Sequence, residues 1–307
     1  MKTVLVTGGT GFIGRHCVAT LLRRGWEVHV LASEDSPARD AGVFFHKGDL
    51  LDTQQTGVVV RTVQASHLLH LAWNVTPGGY AFSPENLTWV QASLALLEHF
   101  HAAGGRRVVT AGTCFEYDLD AAVLREDMTA DRPQTIYGCC KQALGQLTRA
   151  FCQCHDMGWG WARVFYLYGP GEHPGRLAAA VITALLQGQR APCTEGRQVR
   201  DYLHVADVAQ GLVALLESDF NGVVNLGSGV PVAVRELVSV IARQLDAQER
   251  VDFGALPTRA HEPPVILADT RRLREVLHWQ PHFTLEAGIA DTIAWWRDRL
   301  QQRSAGS

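Results

Sequence analysis

The amino-acid sequence predicts an α/β fold: a doubly wound parallel sheet with a smaller C-terminal domain. Three observations carry this. Short apolar runs bounded by glycines alternate with helical patterns through residue 168, and repeated strand–helix–strand units give a parallel sheet with helices on both faces. The rhythm then breaks at the loop cluster "GPGEHPG". The chain has 307 residues, 47% of them hydrophobic and 19% charged, enough for one large domain or two modest ones.

The elements follow in order. "TVLVT" (3–7) is β-branched and reads as a buried strand. "FIGRHCVATLLRR" (12–24) has apolar residues at helical spacing and stops at Gly25. "EVHVL" (27–31), "VFFH" (43–46), "HLLHLA" (67–72), "RRVVTA" (106–111) and "GWARVFYLY" (160–168) read as further strands, joined by right-handed crossovers. "GVVNLGSG" (222–229) is a candidate to return to the first sheet, and "LEAGIADTIAWWRDRL" (285–300) closes the fold as a helix. The expected division is residues 1–168 with 204–230 in the first domain, and 169–203 with 231–307 in the second.

The bulk numbers exclude several classes. A net charge of -3 creates no field for nucleic acid or a membrane surface. No apolar run approaches the roughly 18 residues of a membrane span. The start "MKTVLVTGG" lacks a signal-peptide layout. Seven scattered cysteines argue for a reducing compartment. A cytoplasmic protein is expected.

"TGGTGFIG" (7–14) lies between the first strand and the first helix. That context makes it a dinucleotide turn and the sheet Rossmann-like. Gly8 permits a tight turn, Gly11 lets backbone approach a pyrophosphate, and Gly14 lets the helix pack on the sheet. The N–H groups that open the helix, at Phe12 and Ile13, face the phosphates. An acid for the ribose 2′-hydroxyl belongs at the end of strand two, where Ala32 and Ser33 stand. Arg15 is placed to meet a 2′-phosphate. NADP(H) is therefore preferred; Glu34 and Asp35 just beyond keep NAD(H) open.

In "TIYGCCK" (135–141), Tyr137 and Lys141 are four apart and share a helix face. A phenol with a pKa near 10 needs about 4 kcal/mol of differential stabilisation to act as a base at neutral pH. An ammonium about 4–5 Å away, at an effective dielectric of about 20, supplies roughly that. Cys139 and Cys140 point elsewhere around the helix and are expected to pack as small apolar residues.

With these motifs the chain resembles the extended short-chain dehydrogenase/reductase family of nucleotide-sugar epimerases, dehydratases and reductases. The likeness covers nearly the whole chain. It rests on "TGGTGFIG", "GDLLD" (48–52), "HLAW" (70–73), "AGTCFEYD" (111–118), "IYGCCK" (136–141), "YGPGE" (168–172), "RDYLHVADVA" (200–209) and the C-terminal run "ADTRRLREVLHWQPHFTLEAGIADTIAWW". The resemblance implies a catalytic trio of Thr113, Tyr137 and Lys141, the lysine also orienting the ribose. It implies adenosine contacts from Asp49 and Leu50 and cofactor lining by Leu71 and Ala72. Arg200 and Arg259 would bind the diphosphate of a sugar nucleotide through bidentate forks, and the C-terminal domain would hold that substrate. It further implies a homodimer through a helix pair containing Tyr137–Lys141.

Departures narrow the reaction. Cys114 and Phe115 follow Thr113 where the 4,6-dehydratases carry Asp-Glu, so an acid/base for dehydration is missing. Tyr166 in "RVFYLYGPG" and Trp89 in "WVQAS" replace the family's asparagines. The loop "NVTPGGYAFS" (74–83) offers Tyr80 and Phe82 as stacking groups for the substrate. The missing acid at strand two shifts the expectation to NADPH-dependent reduction of a keto sugar, at C4, on a nucleotide. NAD-dependent epimerisation through a transient ketone is the alternative. A non-catalytic dinucleotide-binding sensor or scaffold is opposed by the intact trio. No Cys/His cluster has metal-site spacing, and "HFH" (99–101) and "CQC" (152–154) point their side chains apart on helices. No metal is expected.

Overall fold

The computed structural model describes residues 2–33, 42–258 and 262–305. Strand β1 (Thr3–Thr7) leads into α1 (Phe12–Arg23), which Gly25 ends at a φ of +75°. Strands β2 (Glu27–Ala32) and β3 (Val43–Lys47) follow. Helix α2 (Thr53–Val63) is capped by Asp52, whose carboxylate accepts the Gln54 and Gln55 N–H groups. Next come β4 (His67–His70), α3 (Glu85–Ala102), β5 (Arg107–Thr113) and the two-residue β6 (Val123–Leu124). Helix α4 (Ile136–Cys154) is capped by Thr135, which accepts the Gly138 N–H. Strand β7 (Gly158–Val164) completes this half, and β8 (Tyr166–Tyr168) leaves it.

Seven parallel strands form the large sheet once β11 (Gly222–Leu226) is added, in the order β11-β7-β5-β4-β1-β2-β3. Chain order reverses direction between β1 and β4. In open α/β sheets that switch leaves a crevice at the carboxyl ends of the strands. Alternate side chains of one strand go to opposite faces. Val4 and Val6 join Cys17 and Leu21 on one face, while Leu5 joins Val60, Leu96 and Leu144 on the other. Each fully buried Val or Leu contributes about 1.5–3 kcal/mol, and both faces are filled, which makes the sheet doubly wound.

The remainder comprises α5 (Leu177–Leu186), β9 (Ala191–Cys193), β10 (Val199–His204), α6 (Val205–Glu217), β12 (Pro231–Ala233), α7 (Val234–Gln244), β13 (Val251–Phe253), β14 (Val265–Ala268), α8 (Arg271–Leu277) and α9 (Leu285–Ala305). Helix α6 packs on the large sheet through Leu212 and Leu216. Strands β12, β10, β14 and β6 form a smaller mixed sheet, with β8 also on β10. Helices α5, α7 and α9 enclose a separate apolar cluster around Ile182, Ile241 and Ile293.

Two expected strands end differently. The run 160–168 is not continuous. Phe165 donates its N–H to Leu226, the last tie to the large sheet, and the chain then crosses to β10. The run 67–72 stops at His70: Leu71 still donates to the Thr7 carbonyl but shares its N–H with the Thr7 hydroxyl, which also takes the Ala72 N–H. No helix among the described residues is long and apolar enough to cross a membrane.

Candidate active site

The glycine turn lies at the switch between β1 and β4. Gly8 has a φ of +70°, and a Cβ there would sit 2.8 Å from the Ala72 nitrogen. A Cβ on Gly14 would sit 1.9 Å from the Gly8 oxygen. Both positions need glycine, one for conformation and one for packing. Helix α1 starts after Gly11 with no side chain capping it, which leaves its first-turn N–H groups, Phe12 and Ile13 included, to a ligand. The turn therefore fits a dinucleotide pyrophosphate. Leu71 and Ala72 are brought against it. Ser33, exposed, ends the β2 edge; Asp49 and Leu50 follow β3, with Asp49 exposed and accepting the Leu51 N–H. Arg15 is exposed and folds back, donating to the Thr10 and Gly11 carbonyls. Glu34, Asp35 and Arg259 lie outside the described residues.

A buried relay supports this edge. Thr7 Oγ1 is 2.7 Å from His70 Nδ1, and His70 Nε2 is 2.8 Å from Ser93 Oγ. Ser93 donates to the Trp89 carbonyl, so the ring must donate from Nε2 and accept at Nδ1 as a neutral imidazole. Burial, aided by Lys141, pulls the His70 pKa down to about 3.

Thr113 ends β5 and is 5% exposed. Its side chain lies close enough to the Tyr137 phenol to favour the ionised form. Its N–H donates to Glu116 Oε1 at 2.7 Å. Glu116, 1% exposed, also accepts from Trp161 Nε1 at 3.0 Å and Arg163 Nε at 2.8 Å. Burial pushes the Glu116 pKa up, while these three donors, with no acceptor among them, favour the ionised carboxylate. Sequence reasoning missed Glu116; it stands inside "AGTCFEYD", where an acid looks solvated.

Tyr137 and Lys141, on α4, are both buried, at 9% and 3% exposure. Lys141 Nζ donates to the Ala111 carbonyl at 2.9 Å and lies 3.9 Å from the Trp73 ring centre. Burial lowers its pKa to about 7, opposed by Glu116. The phenol goes the other way from the neutral value expected: burial and Tyr80 push it up, against the pull of the Thr113 side chain. Desolvation of the anion outweighs that pull. Tyr80 meets Tyr137 edge-on at 5.1 Å, whereas Phe82 is 67% exposed. Cys140 packs inward, but Cys139 is exposed, contrary to expectation, with its thiol directed at the Pro133 carbonyl.

A second cluster holds Tyr166 and Arg200. The guanidinium lies 5.4 Å from the Tyr166 ring centre. It is 2% exposed and paired with Glu262 at 2.7 Å. Cys114 lies between the clusters, close enough to perturb both Tyr137 and Tyr166; burial pushes its thiol up to about 12. Among the described residues no three His, Cys, Asp or Glu side chains group to hold a metal.

The family model "NAD dependent epimerase/dehydratase family" matches residues 4–227. The chain belongs to this family. Family membership makes it an enzyme of the extended short-chain dehydrogenase/reductase group. It is 29% identical to a UDP-glucose 4-epimerase of Streptomyces lividans, over 95% of each chain. The Thermus thermophilus UDP-glucose 4-epimerase, solved with NAD, is 27% identical and superposes with a TM-score of 0.85, covering 96% of this family member and 99% of that chain. MoeE5, solved with UDP-glucose and NAD, is 30% identical with a TM-score of 0.83, covering 97% and 99%.

Proposed function

We propose that this family member is an NAD-dependent epimerase of a UDP-linked hexose, inverting C4 through a transient ketone. The observation that carries the reading is the burial of Thr113, Tyr137 and Lys141 together at the carboxyl end of the sheet, where the glycine turn opens. Epimerisation comes ahead of the reduction expected from the sequence because two of the relatives named above are 4-epimerases and the solved structures hold NAD.

The dinucleotide would lie along Gly8, Gly11, Phe12, Ile13 and Gly14, with its adenosine toward Ser33, Asp49 and Leu50 and its other end past Leu71 and Ala72. Bound there, it supplies a hydride acceptor that becomes the donor. Thr113 holds the sugar O4. Tyr137 takes the O4 proton as the carbonyl forms and returns it when the carbonyl is reduced. Lys141 stabilises the phenolate and meets the ribose. Inversion requires the planar carbonyl to present its opposite face, and Tyr80 and Tyr166 would flank the turning sugar. Arg200, with Arg259, would grip the diphosphate, the substrate lying between residues 1–168 and the C-terminal segments 169–203 and 231–307. Two copies would pair through a helix pair that includes α4.

Keto-sugar reduction with NADPH keeps one observation in its favour, the absence of a carboxylate at Ala32 and Ser33 that end β2. The test is to identify the nucleotide released from purified protein and to incubate UDP-glucose without added cofactor. Tightly retained NAD with UDP-galactose appearing supports the epimerase. Exchangeable NADP, with consumption of NADPH by a 4-keto sugar nucleotide, overturns it.

A further inference from the structure

We propose that Trp73 is a positioning residue for this site: its indole face holds the Lys141 ammonium beside Tyr137. The inference rests on the reading of Tyr137 and Lys141 as an acid–base pair.

The ammonium is removed from water, with Lys141 3% exposed. One N–H goes to the Ala111 carbonyl at 2.9 Å. The Trp73 ring centre lies 3.9 Å from Nζ, well within the range where a ring quadrupole attracts a cation, and desolvation strengthens that attraction. The titratable groups facing Lys141 are Glu116 beyond β5, the neutral His70 on β4 and Tyr137 on its own helix. Of these only Glu116 favours the ammonium, so the indole adds to that single influence.

The indole is fixed in place. Its Nε1 donates to Asn86 Oδ1 at 2.8 Å, and the Trp89 ring lies 6.1 Å away. Asn86, 2% exposed, donates in turn to the Tyr80 and Ser83 carbonyls. One side chain thus orients Trp73 toward Lys141 and fixes the segment that lays Tyr80 on Tyr137. Trp73 itself meets Tyr137 at 6.3 Å and 70°. It touches both members of the pair.

The chain has three lysines, Lys2, Lys47 and Lys141, so 13C-labelled lysine gives three ε-methylene signals to titrate without substrate. In the native protein the Lys141 signal is expected upfield, from the indole ring current. Trp73→Leu should abolish that shift and lower the Lys141 midpoint by about one pH unit, a tenfold change. Trp73→Phe, which keeps a ring face, should restore most of it. The pH profile of kcat should move with the midpoint while KM stays near native. A Lys141 midpoint in Trp73→Leu equal to or above native overturns the proposal. If the leucine variant does not fold, the native ring-current shift and the phenylalanine variant decide, and no upfield shift in the native protein overturns it. A midpoint that moves under an unmoved kcat profile overturns the acid–base reading of the pair, and the positioning role with it.

Discussion

Replacing Glu116 by glutamine tests how the site is held. The carboxylate accepts from the Thr113 N–H, Trp161 and Arg163. Glutamine keeps one acceptor oxygen, enough for Thr113 and Trp161, but turns an NH2 toward Arg163. That guanidinium, 5% exposed, is left with Asp131 at 2.8 Å. Breaking a buried ion pair by removing one partner costs about 3–5 kcal/mol. At about 2 °C per kcal/mol for a chain of this size, Tm should fall by roughly 6–10 °C in a thermal melt followed by circular dichroism. Glu116→Gln/Arg163→Gln removes both charges and gives the NH2 introduced at position 116 an amide oxygen to donate to, so it should recover much of the loss, because no uncompensated buried charge remains at the pair. The single variant should also lower the Lys141 pKa further, because Glu116 opposes its fall. A single variant melting within about 2 °C of native, or a double variant melting below the single, refutes the reasoning.

Other consequences are as direct. Tyr137→Phe should lose at least about a hundredfold in turnover, as removal of a general acid–base does, while the released cofactor stays in native amount; undiminished epimerisation refutes the assignment. His70 is neutral when folded, with a pKa of about 3, so below pH 6.5 the unfolded chain binds the extra proton. Stability should therefore fall with pH by up to about 1.4 kcal/mol per unit between pH 6.5 and 3, with partly exposed His67 acting in the same direction. His70→Asn should flatten that slope in urea unfolding at pH 7 and pH 5, and an equal slope in both proteins counts against it. Cys139→Ser should leave Tm and turnover unchanged because the side chain is exposed. Cys140→Ala should cost about 1 kcal/mol for its small cavity, and loss of turnover in either folded variant would reopen a thiol role.

The large sheet was legible because its strands are buried on both faces. Such strands must be continuous apolar runs, and "TVLVT" or "RRVVTA" can hardly be anything else between glycines. The same property hid the break at Phe165. An apolar run reads alike whether it stays in one sheet or crosses to another, and only pairing with Tyr202 and Leu203 decides. Strands of two to four residues such as β6 and β14 exist through distant partners and leave no local period. Tyr137 and Lys141 were legible through their four-residue spacing on a helix face, and Thr113 through the family resemblance. Glu116, Asn86 and Trp73 were not, because each acts on another side chain that only the fold brings near.

The site disfavours charge on both members of the pair: burial raises Tyr137 and lowers Lys141. Phenol with neutral amine, and phenolate with ammonium, hold the same number of protons. Changing pH therefore cannot convert one into the other; only the surroundings shift the balance. Lys141 alone does not make Tyr137 a base, since burial disfavours the ammonium that would supply the field. Whatever stabilises the ammonium stabilises the working form equally, and two groups are placed to do so, Glu116 through its charge and Trp73 through its ring face. Their effects on turnover should follow their effects on the Lys141 midpoint. A variant at either position that shifts the midpoint and leaves the rate constant would show that the proton pair is not the catalytic unit.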